Sequence, residues 1–394
     1  MSEAVPTTPN RPTVLCFVDY YLPGYKAGGP TRTIINLVAG LGDEVDFRIV
    51  TRDRDMGSDQ PYTGVAIDAW NSVGKAQVFY ASPSTFSFSG IRRLISTTPH
   101  DIVYLNSFLS PRTTGLVLLL RRLGLTRGRP VILAPRGEFA DSALALKARK
   151  KRAYLAVTRL IGLYRGLIWQ ATSDHEATDI RRRQSGVAKR ILQAPNLLPP
   201  PRERADTEAP RADGPLRLVF LSRIAPMKNL DFLLRALAQV KVELSLTLHG
   251  TRETEAYWAE CEQLISALPP NIRVRYEGPV TPDQVPAAFG AHDLFVFPTR
   301  GENFGHVIFE SLSSGTPVMV SDKTPWRDDP AGAVEVVPIT DTAAWAEAIT
   351  RWSSFDPTVL AARRAAASAF AAHYLATSPA AEQHRALFRA ALDR

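Results

Sequence analysis

The chain has 394 residues, 45% of them hydrophobic and 22% charged, with a formal net charge of +8 at pH 7. This length is too great for one ordinary core and predicts two domains, and the composition excludes a disordered chain. No apolar run reaches the roughly 18 residues of a membrane span, and the first residues, MSEAVPTTPNRP, lack a signal-peptide pattern, so we expect a cytoplasmic protein.

Apolar runs alternate with helical patterns along the chain, which is typical of parallel α/β architecture. Cys16 and Cys261 fall in a predicted strand and a predicted helix, where core packing is the expected role.

A glycine pair, Gly28-Gly29, follows the first strand and would let a phosphate or an acceptor sugar approach the backbone. The alternative is that the two glycines only form an ordinary loop. In the first half the predicted strands are Thr13–Val18, Val45–Val50, Gln77–Tyr80, Ile102–Leu105, Pro130–Ala134 and Leu167–Ala171.

A basic amphipathic helix is predicted from Lys147 to Arg165, where seven cationic residues occur without an acidic one. Apolar side chains such as Leu155 and Leu160 lie between the cations, a pattern that suits an anionic membrane surface or a phosphate-bearing lipid. A solvated helix face, with long side chains reaching into water, explains the pattern equally well. Binding to nucleic acid is not expected, because no recognition motif accompanies the charge.

Residues 201–215 are rich in proline and charge without periodicity, which indicates an exposed linker. A second alternating block follows, and two α/β domains joined in this way predict a ligand in the cleft between them. The predicted strands of this block are Leu216–Ser222, Ser245–His249, Arg273–Tyr276, Leu294–Phe297 and Pro317–Val320.

Two cations, Arg223 and Lys228, follow the strand Leu216–Ser222, and ligands of open α/β sheets bind beyond such strand ends. The planar fork of Arg223 suits phosphate oxygens, and Lys228 adds a mobile point charge. The alternative is a pair of surface cations beside an Asn229 that caps a helix.

Two glutamates, Glu302 and Glu310, lie on either side of Phe304-Gly305. On one continuous helix they would be roughly 12 Å apart along the axis, which exceeds the roughly 5 to 9.5 Å that two carboxylates sharing one glycosidic bond require. A hydrolytic pair is therefore not expected. A long ligand held at both ends, with phosphate at a helix N-terminus, fits better and implies a nucleotide sugar.

The segment GENFGHVIFESLSSGTPV, residues 301–318, resembles the E-x7-E signature of the family 4 retaining glycosyltransferases, which have the GT-B fold. Two glutamates at this spacing are a weak signal alone, and the Phe-Gly pair, the Ser-Gly-Thr-Pro-Val run and the preceding strand strengthen it. The resemblance implies two Rossmann-like domains: an acceptor-binding domain at 1–200, a linker at 201–215, a nucleotide-sugar-binding domain at 216–372, and a C-terminal helix at 373–394 that packs back on the first domain.

The resemblance also implies roles for individual residues. Glu302 would contact hydroxyls of the transferred sugar, Glu310 the ribose hydroxyls, and a side chain at Gly305 would block the approach of the ligand. Catalytic roles fall to Glu302, Arg223 and Lys228, and donor binding falls to Glu310, Asn303, Phe304, Gly305, Gly28 and Gly29.

The acceptor side departs from the family pattern. Many members carry a histidine after a central strand of the first domain, whereas residues 132–139 here read ILAPRGEF. Arg136 and Glu138 are therefore the acceptor-side candidates, Arg136 for phosphate or a sugar hydroxyl and Glu138 as a proton acceptor. An internal salt bridge near the loop is the alternative.

The resemblance implies retaining transfer of a hexosyl unit from a nucleotide-diphosphate sugar to a hydroxyl acceptor. Family context suggests a lipid-linked saccharide in bacterial surface polysaccharide synthesis, with the protein peripheral on the inner face of the membrane. The histidines lack metal-ligand spacing, and His292 and His306 are expected either to be structural or to support neighbouring site residues, so neither metal nor cofactor is expected. Two alternatives stay open: a nucleotide-sugar epimerase of the same fold, and a non-catalytic protein that binds nucleotide sugars or a membrane surface.

Overall fold

The computed structural model describes residues 11–126, 128–139, 148–199 and 214–393. Contacts divide the chain into two units, one of Met1–Pro200 with Pro379–Arg394 and one of Pro201–Ser378. The predicted linker lies outside the described residues except at 214 and 215, and so does Lys147 at the start of the predicted basic helix. No helix in the described ranges is long and apolar enough to cross a membrane.

The first unit is built on an eight-stranded sheet in the order β3-β4-β2-β1-β5-β6-β7-β8, in which only the pairing of β3 with β4 is antiparallel. Its strands are β1 (Thr13–Phe17), β2 (Asp46–Arg52), β3 (Trp70–Val73), β4 (Ala76–Ala81), β5 (Ile102–Leu105), β6 (Val131–Leu133), β7 (Ile168–Ala171) and β8 (Arg190–Gln193). Its helices are α1 (Gly29–Leu41), α2 (Phe88–Thr97), α3 (Leu116–Arg122), which follows a π-helical turn at Pro111–Gly115, α4 (Ala148–Leu160) and α5 (Asp174–Arg183).

Both faces of this sheet are buried, which explains why its central strands are continuous apolar runs. Alternate residues of β1 enter different clusters: Val14 and Cys16 pack on one face, and Leu15 and Phe17 on the other. Cys16 and Cys261 are free and buried, which confirms the predicted packing role.

The C-terminal helix completes the core of the first unit. Two helices end the chain, α11 (Pro357–Thr377) in the second unit and α12 (Ala380–Leu392) in the first. The C-terminal helix implied at 373–394 is therefore shorter than expected, because the boundary at 372/373 falls within α11. Phe388 of α12 packs edge-on against Phe47 and Tyr104, with ring centres 6.2 and 6.3 Å away.

The second unit is built on a six-stranded sheet that is parallel throughout, in the order β11-β10-β9-β12-β13-β14. Its strands are β9 (Leu216–Leu221), β10 (Leu244–His249), β11 (Ile272–Gly278), β12 (Leu294–Phe297), β13 (Val318–Ser321) and β14 (Val334–Val337). Its helices are α6 (Leu230–Leu237), α7 (Glu255–Ser266), α8 (Val285–Gly290), α9 (His306–Ser313), α10 (Thr342–Ser353) and α11.

The α/β class and the parallel sheets are therefore as predicted. The strands without a predicted counterpart, β3, β8 and β14, each lie at the edge of a sheet. In β3 and β8 every side chain is at least partly exposed, so these segments lack the apolar run that identifies a central strand.

Candidate functional site

In the second unit, the loops after β9, β12 and β13 meet at the carboxyl edge of the sheet, because these strands are neighbours. Lys228 lies in a short 3₁₀ turn after β9 and forms an ion pair with Glu302 from the loop after β12. The two side chains are only 14% and 15% exposed. The ammonium also lies 5.4 Å from the centre of the Phe297 ring, where the ring face attracts a cation. Two residues that the sequence separates by more than seventy positions thus share one site.

Backbone and side-chain hydrogen bonds fix these loops to each other. The Arg300 N–H donates to the carbonyl of Met227 (2.8 Å), and the Asn229 amide donates to the carbonyl of Pro298 (2.9 Å). Asn229 is the N-cap residue of α6, but its side chain makes no capping hydrogen bond and bonds to the neighbouring loop instead. Because both loops are held at several points, Lys228 and Glu302 sit on a rigid base.

Arg223 lies at the same edge and is held by a residue that the sequence did not single out. Its Nη1 donates to the Oε2 of Glu253 (2.8 Å), in the loop after β10. Two backbone hydrogen bonds fix this loop: Ile224 N–H to Thr251 O (2.8 Å) and Glu253 N–H to Ile224 O (3.0 Å). Glu253 follows the neighbouring strand β10, and only the strand order, which is not evident from sequence, brings it to Arg223.

Helix α9 begins directly after Gly305, as predicted, and Glu310 lies within it, half-buried. Gly305 has φ +80°, and a Cβ there would come within 2.8 Å of the Ile308 Cδ1. The positive φ therefore already favours glycine here, independently of the ligand approach that the sequence suggested, and an added side chain would also displace the end of the Ile308 side chain.

Aromatic residues that the sequence analysis did not identify support Phe304 at the start of this helix. Trp326 donates its indole N–H to the carbonyl of Phe304 (2.6 Å), and their rings lie 5.5 Å apart. Tyr374 of α11 stacks on Trp326 at 5.3 Å. Asn303 and Phe304 thus lie on a loop whose position depends on α11, a contact that no local sequence pattern encodes.

In the first unit, Gly28 precedes α1 with φ +72°, a conformation that favours glycine, and Gly29 is the first helical residue. A Cβ added at Gly28 would meet no atom within 4 Å, so space is open beside this backbone. The carboxylate of Asp55 accepts from the N–H groups of Tyr25 (3.2 Å) and Lys26 (3.4 Å), which anchors the loop before the glycines.

Arg136 follows β6, and its guanidinium donates hydrogen bonds to three neutral side chains of the first unit. Its Nε donates to the Oδ1 of Asn106 (2.7 Å), Nη1 to the Oδ1 of Asn196 (2.8 Å), and Nη2 to the hydroxyl of Tyr104. Its backbone has φ +56°, which costs a non-glycine residue about 1 to 3 kcal/mol and persists only where the surroundings enforce it.

Glu138 is likewise engaged internally. Its carboxylate accepts from the hydroxyl of Ser107 (2.8 Å) and from the N–H groups of Phe108 (2.5 Å) and Leu109 (2.9 Å). Burial raises the pKa of Glu138 to about 6, and these hydrogen bonds oppose the rise. In the described part of the chain neither Arg136 nor Glu138 forms an ion pair, and their partners there are neutral groups. Both side chains shape the loops after β5 and β6.

His292 has the structural role expected of it. Its ring bonds to the carbonyl of Ala288 (2.7 Å) and to the hydroxyl of Thr247 (2.9 Å), and burial lowers its pKa. Across the described ranges, no group of three or more His, Cys, Asp or Glu is arranged to hold a metal ion.

The end of the predicted basic helix forms a surface with the end of α3. Arg122 donates to the carbonyl of Ile161 (3.1 Å), and Arg121 to that of Arg165 (2.9 Å), which joins the two segments. Apolar side chains stand exposed there, with Leu160 at 87% and Val157 at 58%. We call this surface the α3–α4 patch; it comprises Leu119, Leu123, Val157, Leu160 and Ile161 with Arg121, Arg122, Arg159 and Arg165.

Known proteins are similar to the chain in sequence and in fold. The family described as Glycosyl transferases group 1 matches residues 215–354. A D-inositol 3-phosphate glycosyltransferase of Salinispora tropica is 32% identical over 157 residues, which are 36% of this chain and 32% of the relative. The chain thus spans about a third of the length of the first curated relatives that it matches.

Solved structures share the fold over nearly the whole chain. Sucrose-phosphate synthase of Thermosynechococcus elongatus has a TM-score of 0.73 at 18% identity, covering 96% of this chain and 98% of that one. Anabaena HepE, solved with UDP and glucose, has a TM-score of 0.69 at 16% identity, covering 96% and 99%. With the two parallel α/β units, these similarities show that the chain has the GT-B fold, and that its segment 215–354 is similar to the Glycosyl transferases group 1 family.

Proposed function

We propose that this chain is a retaining glycosyltransferase that moves a hexosyl unit from a nucleotide-diphosphate sugar to an acceptor hydroxyl. The observation that carries the proposal is the pairing of Lys228 with Glu302 at the carboxyl edge of β9 and β12, with Arg223 at the same edge. A cation for phosphate and a carboxylate for sugar hydroxyls are thus in contact, as a ligand with adjoining phosphate and sugar requires.

The proposed reaction begins with an exchange of partners. Lys228 binds a phosphate oxygen of the donor, and Glu302 is released to accept from hydroxyls of the sugar. Arg223 and Lys228 then stabilise the negative charge that develops on the leaving diphosphate as the bond to the anomeric carbon breaks. The acceptor hydroxyl attacks that carbon from the same face and gives its proton to the leaving phosphate, so the anomeric configuration is retained.

The proposed acceptor is a lipid-linked saccharide of bacterial surface polysaccharide synthesis, met at the inner face of the membrane. The α3–α4 patch supports this choice. A purely solvated helix face would not place Leu160 and Val157 among its most exposed residues, whereas an interfacial helix buries such side chains in the lipid boundary. The arginines beside them, including Arg122 and Arg159, fit anionic headgroups.

A thermal-shift screen of nucleotide sugars and free nucleoside diphosphates tests donor binding. A ligand at one hundred times its Kd stabilises the native state by about 2.7 kcal/mol, so at least one compound is expected to raise the Tm clearly. Lys228→Ala should abolish that rise, while Lys75→Ala, which removes an exposed ion pair with Asp43 in the first unit, should preserve it. If no nucleotide sugar shifts the wild-type Tm, the proposal is wrong.

A further inference from the structure

We propose that Asn106, Arg136 and Tyr104 are positioning residues that hold the glycine segment Gly28-Gly29 through the first turn of α1, and that His384 of α12 extends this control to the C-terminal helix. The proposal rests on the proposed function for its effect on turnover. Its structural part, that these residues limit the mobility of the first turn of α1, can be tested without measuring any activity.

A continuous path of hydrogen bonds runs through the first unit from α12 to α1. Gln170 of β7 donates to the His384 ring (3.2 Å) and to the carbonyl of Ala194 (2.8 Å). Tyr104 of β5 donates to the side-chain oxygen of Gln170 and accepts from Arg136. At the other end, Arg136 donates to Asn106, whose Nδ2 donates to the carbonyl of Pro30 (3.1 Å), one residue after Gly29.

Each group on this path has one consistent hydrogen-bonding role. The His384 Nδ1 faces the carbonyl of Ala380 (2.9 Å), so it carries the proton, and Nε2 accepts from Gln170. Burial lowers the pKa of His384 to about 3, which keeps the ring neutral. Asn106 is 2% exposed, and its two amide ends are fixed because Arg136 only donates and the Pro30 carbonyl only accepts. A buried network satisfied in this way defines one geometry.

The path ends at a turn whose glycines contribute no side-chain contacts, and Gly28 has open space beside it. Within the loop and helix, Thr31 donates to the carbonyl of Tyr20 (3.1 Å) and Thr33 to that of Gly29 (3.0 Å). Asn106, directly after β5, adds a contact from outside this segment, and the neighbouring strand β1 leads into the loop. Arg136 has an unfavourable positive φ, and its guanidinium is part of this path. Strained backbone of this kind is often found at residues whose position serves a function.

Hydrogen exchange in the full-length protein tests the proposal, using amides of residues 31–35. Asn106→Ala removes both bonds of the amide, and Asn106→Asp keeps an acceptor for Arg136 but removes the donor to Pro30. Loss of one such hydrogen bond is worth about a five- to tenfold change in an opening equilibrium, so both variants should exchange about that much faster in the first turn of α1.

Asn36→Ala is the matched control. Like Asn106, Asn36 is a buried asparagine whose side chain donates to a backbone carbonyl, that of Leu197 (3.0 Å). It lies in α1 but beyond the first turn. Its loss should lower global stability without selective exchange at residues 31–35. Equal exchange in this region for Asn36→Ala and both Asn106 variants would overturn the proposal.

Turnover separates this proposal from the proposed function. Both Asn106 variants should raise the donor KM about tenfold with kcat changed far less, because a loosened glycine segment weakens donor binding. A wild-type protein that turns over no nucleotide sugar would contradict the proposed function. The hydrogen-exchange measurement would then be the test of the hydrogen-bond network. Wild-type turnover with an unchanged donor KM in both Asn106 variants would overturn the positioning role.

Discussion

Lys228 and Arg223, the two cations assigned to the donor diphosphate, are each paired with a carboxylate from a neighbouring loop. The pairs differ in burial: Lys228 and Glu302 are mostly shielded from water, whereas Arg223 and Glu253 are 38% and 45% exposed. An exposed pair contributes little to stability, but it can restrict an arginine to one orientation. If Arg223 binds the donor diphosphate as proposed, Glu253 is the residue that orients it.

Replacing Glu253 with alanine tests this orientation. The Arg223 side chain would gain rotational freedom, and we expect the donor KM to rise about three- to fivefold, the range of an exposed ion pair. Steady-state kinetics against donor concentration gives the answer. Glu260→Ala is the control, since Glu260 pairs with Arg235 at 2.9 Å with similar exposure. A donor KM that falls or stays constant in Glu253→Ala would show that Glu253 competes with phosphate or is irrelevant.

Single residues were predictable from sequence where a strand end and a motif coincide. Lys228, Glu302 and Glu310 lie where the pattern of strand, loop and helix indicated. Glu253 and Trp326 were not predictable, because strand order and the path of α11 bring them to the site. The partners of Arg136 and Glu138 were not predictable either, since charge in a loop does not reveal that buried neutral groups form hydrogen bonds with both side chains.

At the scale of elements, the basic segment shows what periodicity can and cannot predict. The helix itself was predicted, and α4 is observed from Ala148 to Leu160. Leu163 and Tyr164 fall within the helix predicted to Arg165, but they are buried in the turns that follow α4. The sequence pattern could not separate core-facing from exposed apolar residues, because the helix ends at Leu160 and the helical spacing of side chains does not apply to the residues after it.

Vesicle co-sedimentation tests the α3–α4 patch. Vesicles of phosphatidylglycerol should bind the protein and vesicles of phosphatidylcholine should bind it far less, and added salt should weaken binding by screening the arginines. Leu160→Glu should lower binding about tenfold, because it removes an apolar anchor and adds a repelled charge. Val359→Glu, at an exposed apolar residue of α11, should have no effect. Equal binding to both lipids, or none to either, would favour a soluble acceptor.

At the scale of the whole molecule, alternating apolar runs were enough to predict two parallel α/β units. The assignment of α12 to the first unit came only from resemblance, and in the structure its Phe388 lies in the core of that unit. The break at Ser378-Pro379 is visible in sequence, whereas the unit each helix joins depends on long-range packing. The C-terminal residues therefore belong to the same cooperative core as β1, and His384 connects them to the glycine segment.

The most direct test of the account is the product formed from the best nucleotide sugar by wild-type protein and by Glu302→Gln. We predict that wild-type protein releases a nucleoside diphosphate and transfers the sugar with its anomeric configuration retained. Loss of the Glu302 carboxylate should lower kcat/KM about one hundredfold or more with the Tm little changed. An inverted product would contradict the mechanism. An epimerised donor, or wild-type binding without turnover, would contradict the transferase activity, and unchanged turnover in Glu302→Gln would contradict the site.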